Sequence, residues 1–183
     1  MNVYYLAFFS LFLFSCNNDG AESFELELKR LDTLFISNPS NVSFEDYASE
    51  YGDFWLVYTE NVINLPSDSF SESLINFQQE TDFAKPYKEI IDQYQDFSPQ
   101  LKNLSRAFYH YNEAFPNRLI PEIITFFGGF NYVAIATDSV LGIGLEMFLG
   151  NNSYYSKLVH KFPKYMHQQF NSKYLCSVVL NGW

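Results

Sequence analysis

The sequence is poor in positive charge. Eleven lysines and arginines stand against 21 aspartates and glutamates, so the formal net charge of the 183 residues is −10. Binding to nucleic acid needs a basic surface that neutralises phosphates, and this balance of charge excludes such a surface. The same acidity disfavours direct attraction to anionic lipid headgroups. Any attachment to a membrane is therefore expected to be covalent.

Cysteine and histidine are also scarce. The cysteines are Cys16 and Cys176; if Cys16 is modified, no intramolecular disulfide can form, and the spacing excludes a Cys-x-x-Cys metal or redox site. The histidines, His110, His160 and His167, do not form His-Glu-x-x-His, the helical motif with which zincins bind zinc. We therefore expect no metal and no other cofactor, and we assign the histidines to the surface or its rim.

Motifs for nucleophilic catalysis and phosphate binding are missing as well. There is no Gly-x-Ser-x-Gly, and Ser139 has Asp138 beside it but no histidine near it in the sequence. The glycine pairs between 128 and 144 do not extend into Gly-x-Gly-x-x-Gly, and no lysine follows them. We therefore assign no catalytic residue.

An apolar segment without charged side chains opens the chain. Residues 1–16, MNVYYLAFFSLFLFSC, are too few to span a bilayer comfortably. They end in Leu-Phe-Ser-Cys, which resembles the lipobox of bacterial lipoproteins, in which the cysteine is lipidated and becomes the new N-terminus. An ordinary cleaved signal and a buried N-terminal helix are the alternatives. We predict a signal peptide at 1–15, lipidation of Cys16 and a solvated tether at 16–23.

Residues 24–183 predict a single α+β domain, with N-terminal helices followed by a small antiparallel β meander. Alternating apolar residues predict a short strand at 24–30 that passes into a helical turn. Ser43 is expected to cap a helix that runs to about Val62. A long amphipathic helix is expected to begin at Ser98 and to end before Pro116.

The segment 128–150, GGFNYVAIATDSVLGIGLEMFLG, is the most glycine-rich part of this acidic chain. Its first two glycines are expected to join two strands as a hairpin, and its Asp-Ser step to form a second turn. Two later glycines share one face of a strand, which permits close approach of another group. The residues that we assign to turns and close packing are Gly128, Gly129, Asp138, Gly142 and Gly144.

Glu146, set among the apolar residues of GIGLEMFL, is the candidate functional carboxylate. A carboxylate is costly to bury unless it is paired or hydrogen-bonded. As a functional group it would serve as an acid, a metal ligand or an anchor for a partner. Structural ion pairs produce the same pattern, so we favour a solvent-facing strand residue or a buried ion pair with Arg106, Arg118 or Lys157.

Several segments resemble the gliding-motility lipoprotein GldB family of Bacteroidota. They are the lipobox, RLDTLF at 30–35, YGDFWLVYTENVI at 51–63, LKNLSRAFYHYNEAFPNRLIPEIITFFGGFNY at 101–132 and DSVLGIGLEMFLG at 138–150. The last of these is the most specific. Family members are longer, so we expect the chain to be truncated at its C-terminus and its domain to be incomplete there.

The resemblance implies a lipoprotein of the cell envelope, anchored to the inner or outer membrane and facing the periplasm. It implies association with other gliding or secretion machinery proteins, and the hypothesis that we prefer is a non-enzymatic accessory or scaffold. The family is also distantly similar to zincin-like proteins, so a degenerate or truncated metallopeptidase is the first alternative. A periplasmic lipoprotein that binds a small ligand is the second, and it predicts an enclosed pocket lined by tyrosines.

Overall fold

The computed structural model describes residues 23–36, 43–65, 67–150, 152–158 and 162–183. The predicted signal peptide, Cys16 and His160 lie outside the described residues. Within these ranges, every helix is too short or too polar to cross a lipid bilayer.

The helices of the described chain largely follow its amphipathic segments. Ser43 caps the first of them, as predicted: its side chain accepts a hydrogen bond from the backbone N–H of Asp46. The expected single helix to Val62 is instead divided at Gly52, whose φ of 56° breaks the first helix. A π-helical turn at Tyr58–Val62 follows the second helix. The α-helices are α1 (Phe44–Tyr51), α2 (Asp53–Val57), α3 (Phe70–Gln78), α4 (Thr81–Gln93), α5 (Ser98–Ala114), α6 (Asn152–Tyr155) and α7 (Leu175–Leu180).

The sheet is mixed and has the order β1-β2-β4-β3. Strands β1, β2 and β4 run parallel, and only β3 is antiparallel to its neighbour β4. The α+β class is confirmed, but the expectation of an entirely antiparallel meander is wrong. The strands are β1 (Leu28–Arg30), β2 (Glu122–Phe126), β3 (Ala134–Ala136) and β4 (Val140–Gly144).

The expected hairpin at Gly128 and Gly129 is also wrong, because β2 and β3 are not neighbours in the sheet. β4 lies between them, and all five of its residues are buried. A strand that is covered on both faces is apolar throughout, which is typical of a central parallel strand. The turn expected at Asp138 and Ser139 does connect two paired strands, β3 and β4.

Helices cover both faces of the sheet. On one face, Ile123 and Leu141 belong to a buried cluster with residues of α4, α5 and α7. On the other face, Ile124 and Phe126 belong to a cluster with residues of α1, α2 and α3. Because β1, β2 and β4 are parallel, their carboxyl ends meet at one edge of this layered structure, where ligands commonly bind in open sheets.

Candidate functional site

Glu146 lies at this edge, directly after β4, in a 3-10 turn that spans Leu145–Phe148. Its side chain is fully buried. Its Oε1 atom accepts hydrogen bonds from the backbone N–H groups of Gly128, at 2.8 Å, and Phe130, at 3.1 Å. Its Oε2 atom has no hydrogen-bond partner among the described residues. The carboxyl group therefore connects the turn that follows β4 to the loop that follows β2.

The loop after β2 adopts a conformation that turns two amides toward one oxygen. Gly129 and Phe130 have φ angles of 62° and 64°, in the left-handed region that residues other than glycine rarely enter. Successive backbone N–H groups in such a concave arrangement form a nest for an anion. A Cβ atom at Gly128 would lie 2.7 Å from the side chain of Val62, so glycine is needed there for space. Gly128 and Gly129 thus build a carboxylate cradle and not a hairpin.

Two buried tyrosine hydroxyls secure the backbone on either side of the cradle. The Tyr155 hydroxyl donates to the carbonyl oxygen of Glu146 at 3.0 Å and accepts from the backbone N–H of Leu149 at 3.0 Å. The Tyr58 hydroxyl donates to the carbonyl oxygen of Phe127 at 2.7 Å. Both ends of the cradle are therefore fixed by neutral hydrogen bonds, and none of these bonds compensates a carboxylate charge.

Burial raises the pKa of Glu146 to about 7. Its own backbone amide and those of Gly128 and Phe130 oppose this rise, whereas the negative charge of Asp32 adds to it. The alternatives that the sequence favoured are not observed. The side chain does not face solvent, and no ion pair joins it to Arg106, Arg118 or Lys157 among the described residues.

A second buried carboxylate, Asp32, follows β1 at the same edge of the sheet and was not among the residues predicted from the sequence. Its two oxygens accept hydrogen bonds from the guanidinium of Arg30 at 2.8 and 2.7 Å. The hydroxyl of Thr125, on β2, also donates to it. Asp32 is fully buried but paired, whereas Glu146 is buried and pairs with no cation of the described residues. The Arg-x-Asp spacing within RLDTLF is the signal that could have revealed the pair.

The remaining glycines of the segment serve close packing. A Cβ atom at Gly142 would lie 2.6 Å from the ring of Phe54, and one at Gly144 would overlap the carbonyl oxygen of Tyr132. Both hypothetical Cβ atoms also approach Phe126, so the two glycines face the same side of β4.

An open cleft of about 520 Å³ lies at the opposite end of the strands. Its acidic lining includes Glu50, Asp53 and Asp138, together with Glu122, whose carboxylate is 2.7 Å from the ammonium of Lys29. One tyrosine reaches this cleft, so it differs from the enclosed, tyrosine-lined pocket that a small-ligand carrier predicts.

The described histidines make local contacts. The Nδ1 atom of His110 is 3.0 Å from the carboxylate of Glu113, and both side chains are exposed. The Nε2 atom of His167 is 3.0 Å from the carbonyl oxygen of Phe162. Across the described ranges, no three histidine, cysteine, aspartate or glutamate side chains are grouped so that they could hold a metal ion.

Comparison with models of known protein families gives a match over most of the chain. A family model described as "Gliding motility protein GldB" matches residues 16–183. No curated protein and no solved structure matches the chain. The matched range includes the whole cradle, Asp32 and both faces of the sheet.

Proposed function

Because the chain belongs to the GldB family of gliding motility proteins, we propose that it is a lipid-anchored, non-enzymatic accessory or scaffold of the gliding machinery. The observation that carries this proposal is the extent of the family match, which begins at Cys16. That cysteine is the residue that the lipobox predicts to be lipidated and to start the mature chain.

The charge of the chain supports a lipid anchor. With a net charge of −10, the protein would be repelled by anionic headgroups, so a covalent lipid at Cys16 would have to supply the membrane affinity. A tether at 16–23 would then hold the domain beside the inner or outer membrane, on the periplasmic side. Its partners would be other proteins of the gliding or secretion machinery.

The geometry of the two buried carboxylates supports a structural role for both. Glu146 and Asp32 are each fully buried, and the hydrogen bonds that their carboxyl oxygens accept come from within the domain. A general acid or base must reach the proton that it transfers, and neither group is exposed in this structure. A scaffold agrees better with this arrangement than a hydrolase does.

Metabolic labelling with an alkyne analogue of palmitate tests the anchor. In a gliding bacterium that carries the chain, we expect label in the wild type and in Cys176→Ala, the matched control at the other cysteine. Cys16→Ala should lose the label, leave the membrane fraction and fail to support gliding. Label that persists in Cys16→Ala, or a wild type that is never labelled, would contradict the anchor.

Cross-linking and elemental analysis test the scaffold role against the metallopeptidase. The membrane-bound wild type should cross-link to other gliding or secretion proteins and should purify without stoichiometric zinc. One zinc per chain, together with hydrolysis of a casein substrate that a chelator abolishes, would instead favour the metallopeptidase.

A further inference from the structure

One oxygen atom of Glu146 satisfies two backbone amides of the loop between β2 and β3. The N–H groups of Gly128 and Phe130 both donate to Oε1, and the described residues provide no other acceptor for either group. The left-handed conformations of Gly129 and Phe130 are costly for a loop that nothing holds, above all at the non-glycine position. The conformation of the loop therefore depends on this carboxyl group.

Backbone amides favour the ionised form of Glu146, but among the described residues no cationic side chain pairs with it, and burial outweighs the amides. Desolvation and the electrostatic influence of Asp32, which lies after β1, both disfavour the ionised form. Tyr58 lies in the π-helical turn and Tyr155 lies in α6. A negative charge on Glu146 raises the pKa of both tyrosines. Tyr87 and Glu89, both on α4, interact electrostatically with these two tyrosines. The imidazole of His167 lies against the ring of Tyr155. Arg30, the nearest described cation to Asp32, is already committed to that carboxylate.

The two oxygens of the Glu146 carboxyl group have different surroundings. Oε1 accepts both amides, while Oε2 is buried and has no hydrogen-bond partner within the described part of the chain. A proton on Oε2 leaves the hydrogen bonds to Oε1 in place and removes the buried charge. Loss of that proton to solvent leaves a desolvated anion, to whose second oxygen no described residue donates, and this is costly in an apolar interior. Solvent that enters around the loop would relieve this cost.

We propose that Glu146 is a proton-operated clasp, which closes the 127–131 loop onto the end of β4 while its carboxyl is protonated and releases the loop when the proton is lost. Release of the loop would affect its packing against α4. Gly129 packs against the ring of Phe83 on α4, and Phe127 contacts the same ring. Opening of the loop would loosen this aromatic contact at the carboxyl edge of the sheet. The device is independent of the lipid anchor and of the scaffold role.

Amide hydrogen exchange, resolved by NMR on the purified full chain, tests the clasp. Protection factors of the Gly128 and Phe130 amides, corrected for the intrinsic effect of pH, should fall by about tenfold or more between pH 6 and pH 8 in the wild type. In Glu146→Gln the side-chain carbonyl oxygen still accepts both amides and no charge forms, so the protection should stay constant over this range.

Histidine ordinarily changes charge in the same range, so His167→Gln is the matched control, and it should show the same fall as the wild type. A flat wild-type profile, a fall that persists in Glu146→Gln, or a fall that disappears in His167→Gln would overturn the proposal. If Glu146→Gln does not fold, the ¹³Cδ resonance of Glu146 in the wild type provides the second measurement. It should titrate with the same midpoint as the loss of protection, and a midpoint below pH 5 would overturn the clasp.

Discussion

The hydroxyl of Tyr155 donates a hydrogen bond to the backbone carbonyl oxygen of Glu146, at 3.0 Å, within the buried interior. The same hydroxyl accepts the backbone N–H of Leu149, so one oxygen closes the 3-10 turn that follows β4. The side chain of Glu146 faces the loop after β2, while its main chain is held by α6. A single residue thus links the turn after β4 both to α6, nine residues on, and to the loop after β2, 16 to 18 residues before it.

Tyr155→Phe should therefore destabilise the domain. The substitution preserves the ring but leaves the buried carbonyl of Glu146 and the amide of Leu149 without their partner. A buried polar group without a hydrogen bond costs about 1–3 kcal/mol, and we expect a loss of that size in the free energy of unfolding by urea. Tyr165→Phe is the matched control, because Tyr165 is 72% exposed, and it should change the stability by less than about 0.5 kcal/mol. Equal effects of the two substitutions would contradict the role of Tyr155.

The contribution of Glu146 to the stability of the protein should fall as the pH rises from about 4.5 to about 7. The pKa of Glu146 is about 7 in the folded state and near 4.5 in the unfolded chain, so the folded state binds more protons between these values. Its contribution is intact below about pH 4.5 and is lost as the pH rises through about 7. The shift corresponds to about 3 kcal/mol.

Urea unfolding of the wild type and of Glu146→Gln from pH 5 to pH 8.5 measures this contribution. The difference in stability between the two proteins should grow in favour of the glutamine variant as the pH increases. A constant difference would show that folding leaves the pKa of Glu146 unchanged, and a difference that grows in the opposite direction would show that folding lowers it.

Asp32→Asn should destabilise the domain through loss of a buried ion pair. The substitution keeps the volume of the side chain but leaves the guanidinium of Arg30 without its counter-charge. Removal of one partner from a buried pair costs about 3–5 kcal/mol, and we expect about 2 kcal/mol because the Arg30 side chain is 23% exposed. Asp92→Asn removes an exposed pair with Lys88 and should cost at most about 0.5 kcal/mol. Similar losses for both variants would mean that the burial of Asp32 adds nothing.

Local signals in the sequence were sufficient for the class of the fold and for several boundaries. Ser43 begins a helix because its hydroxyl caps the helix start, and this depends on neighbouring residues alone. Alternation predicted a strand at 24–30, and its last three residues, Leu28–Arg30, form β1 before the expected helical turn. Such features require no knowledge of distant partners.

The pairing of the strands and the contacts of Glu146 depend on residues that are distant in the chain. The glycines at 128 and 129 have the spacing of a hairpin, yet β4 occupies the place beside β2. The uniformly apolar VLGIG of β4 was the available indication of a central strand. The sequence identified Glu146 by its apolar surroundings, but its partners are backbone amides 16 and 18 residues away, which carry no side-chain signature.

Gly144→Ala tests the assignment of the β4 glycines to close packing. Gly144 has an ordinary φ of −77°, so an effect of alanine there would come from contact and not from backbone strain. Its Cβ atom would overlap the carbonyl oxygen of Tyr132, a backbone atom that cannot turn aside as a side chain can. Overpacking of this kind costs about 1–3 kcal/mol.

Gly182→Ala is the matched control, because a Cβ atom there would meet its nearest neighbour at 3.4 Å, and its thermal stability should stay close to that of the wild type. If Gly144→Ala is as stable as Gly182→Ala, the space beside β4 is not the reason for glycine at that position.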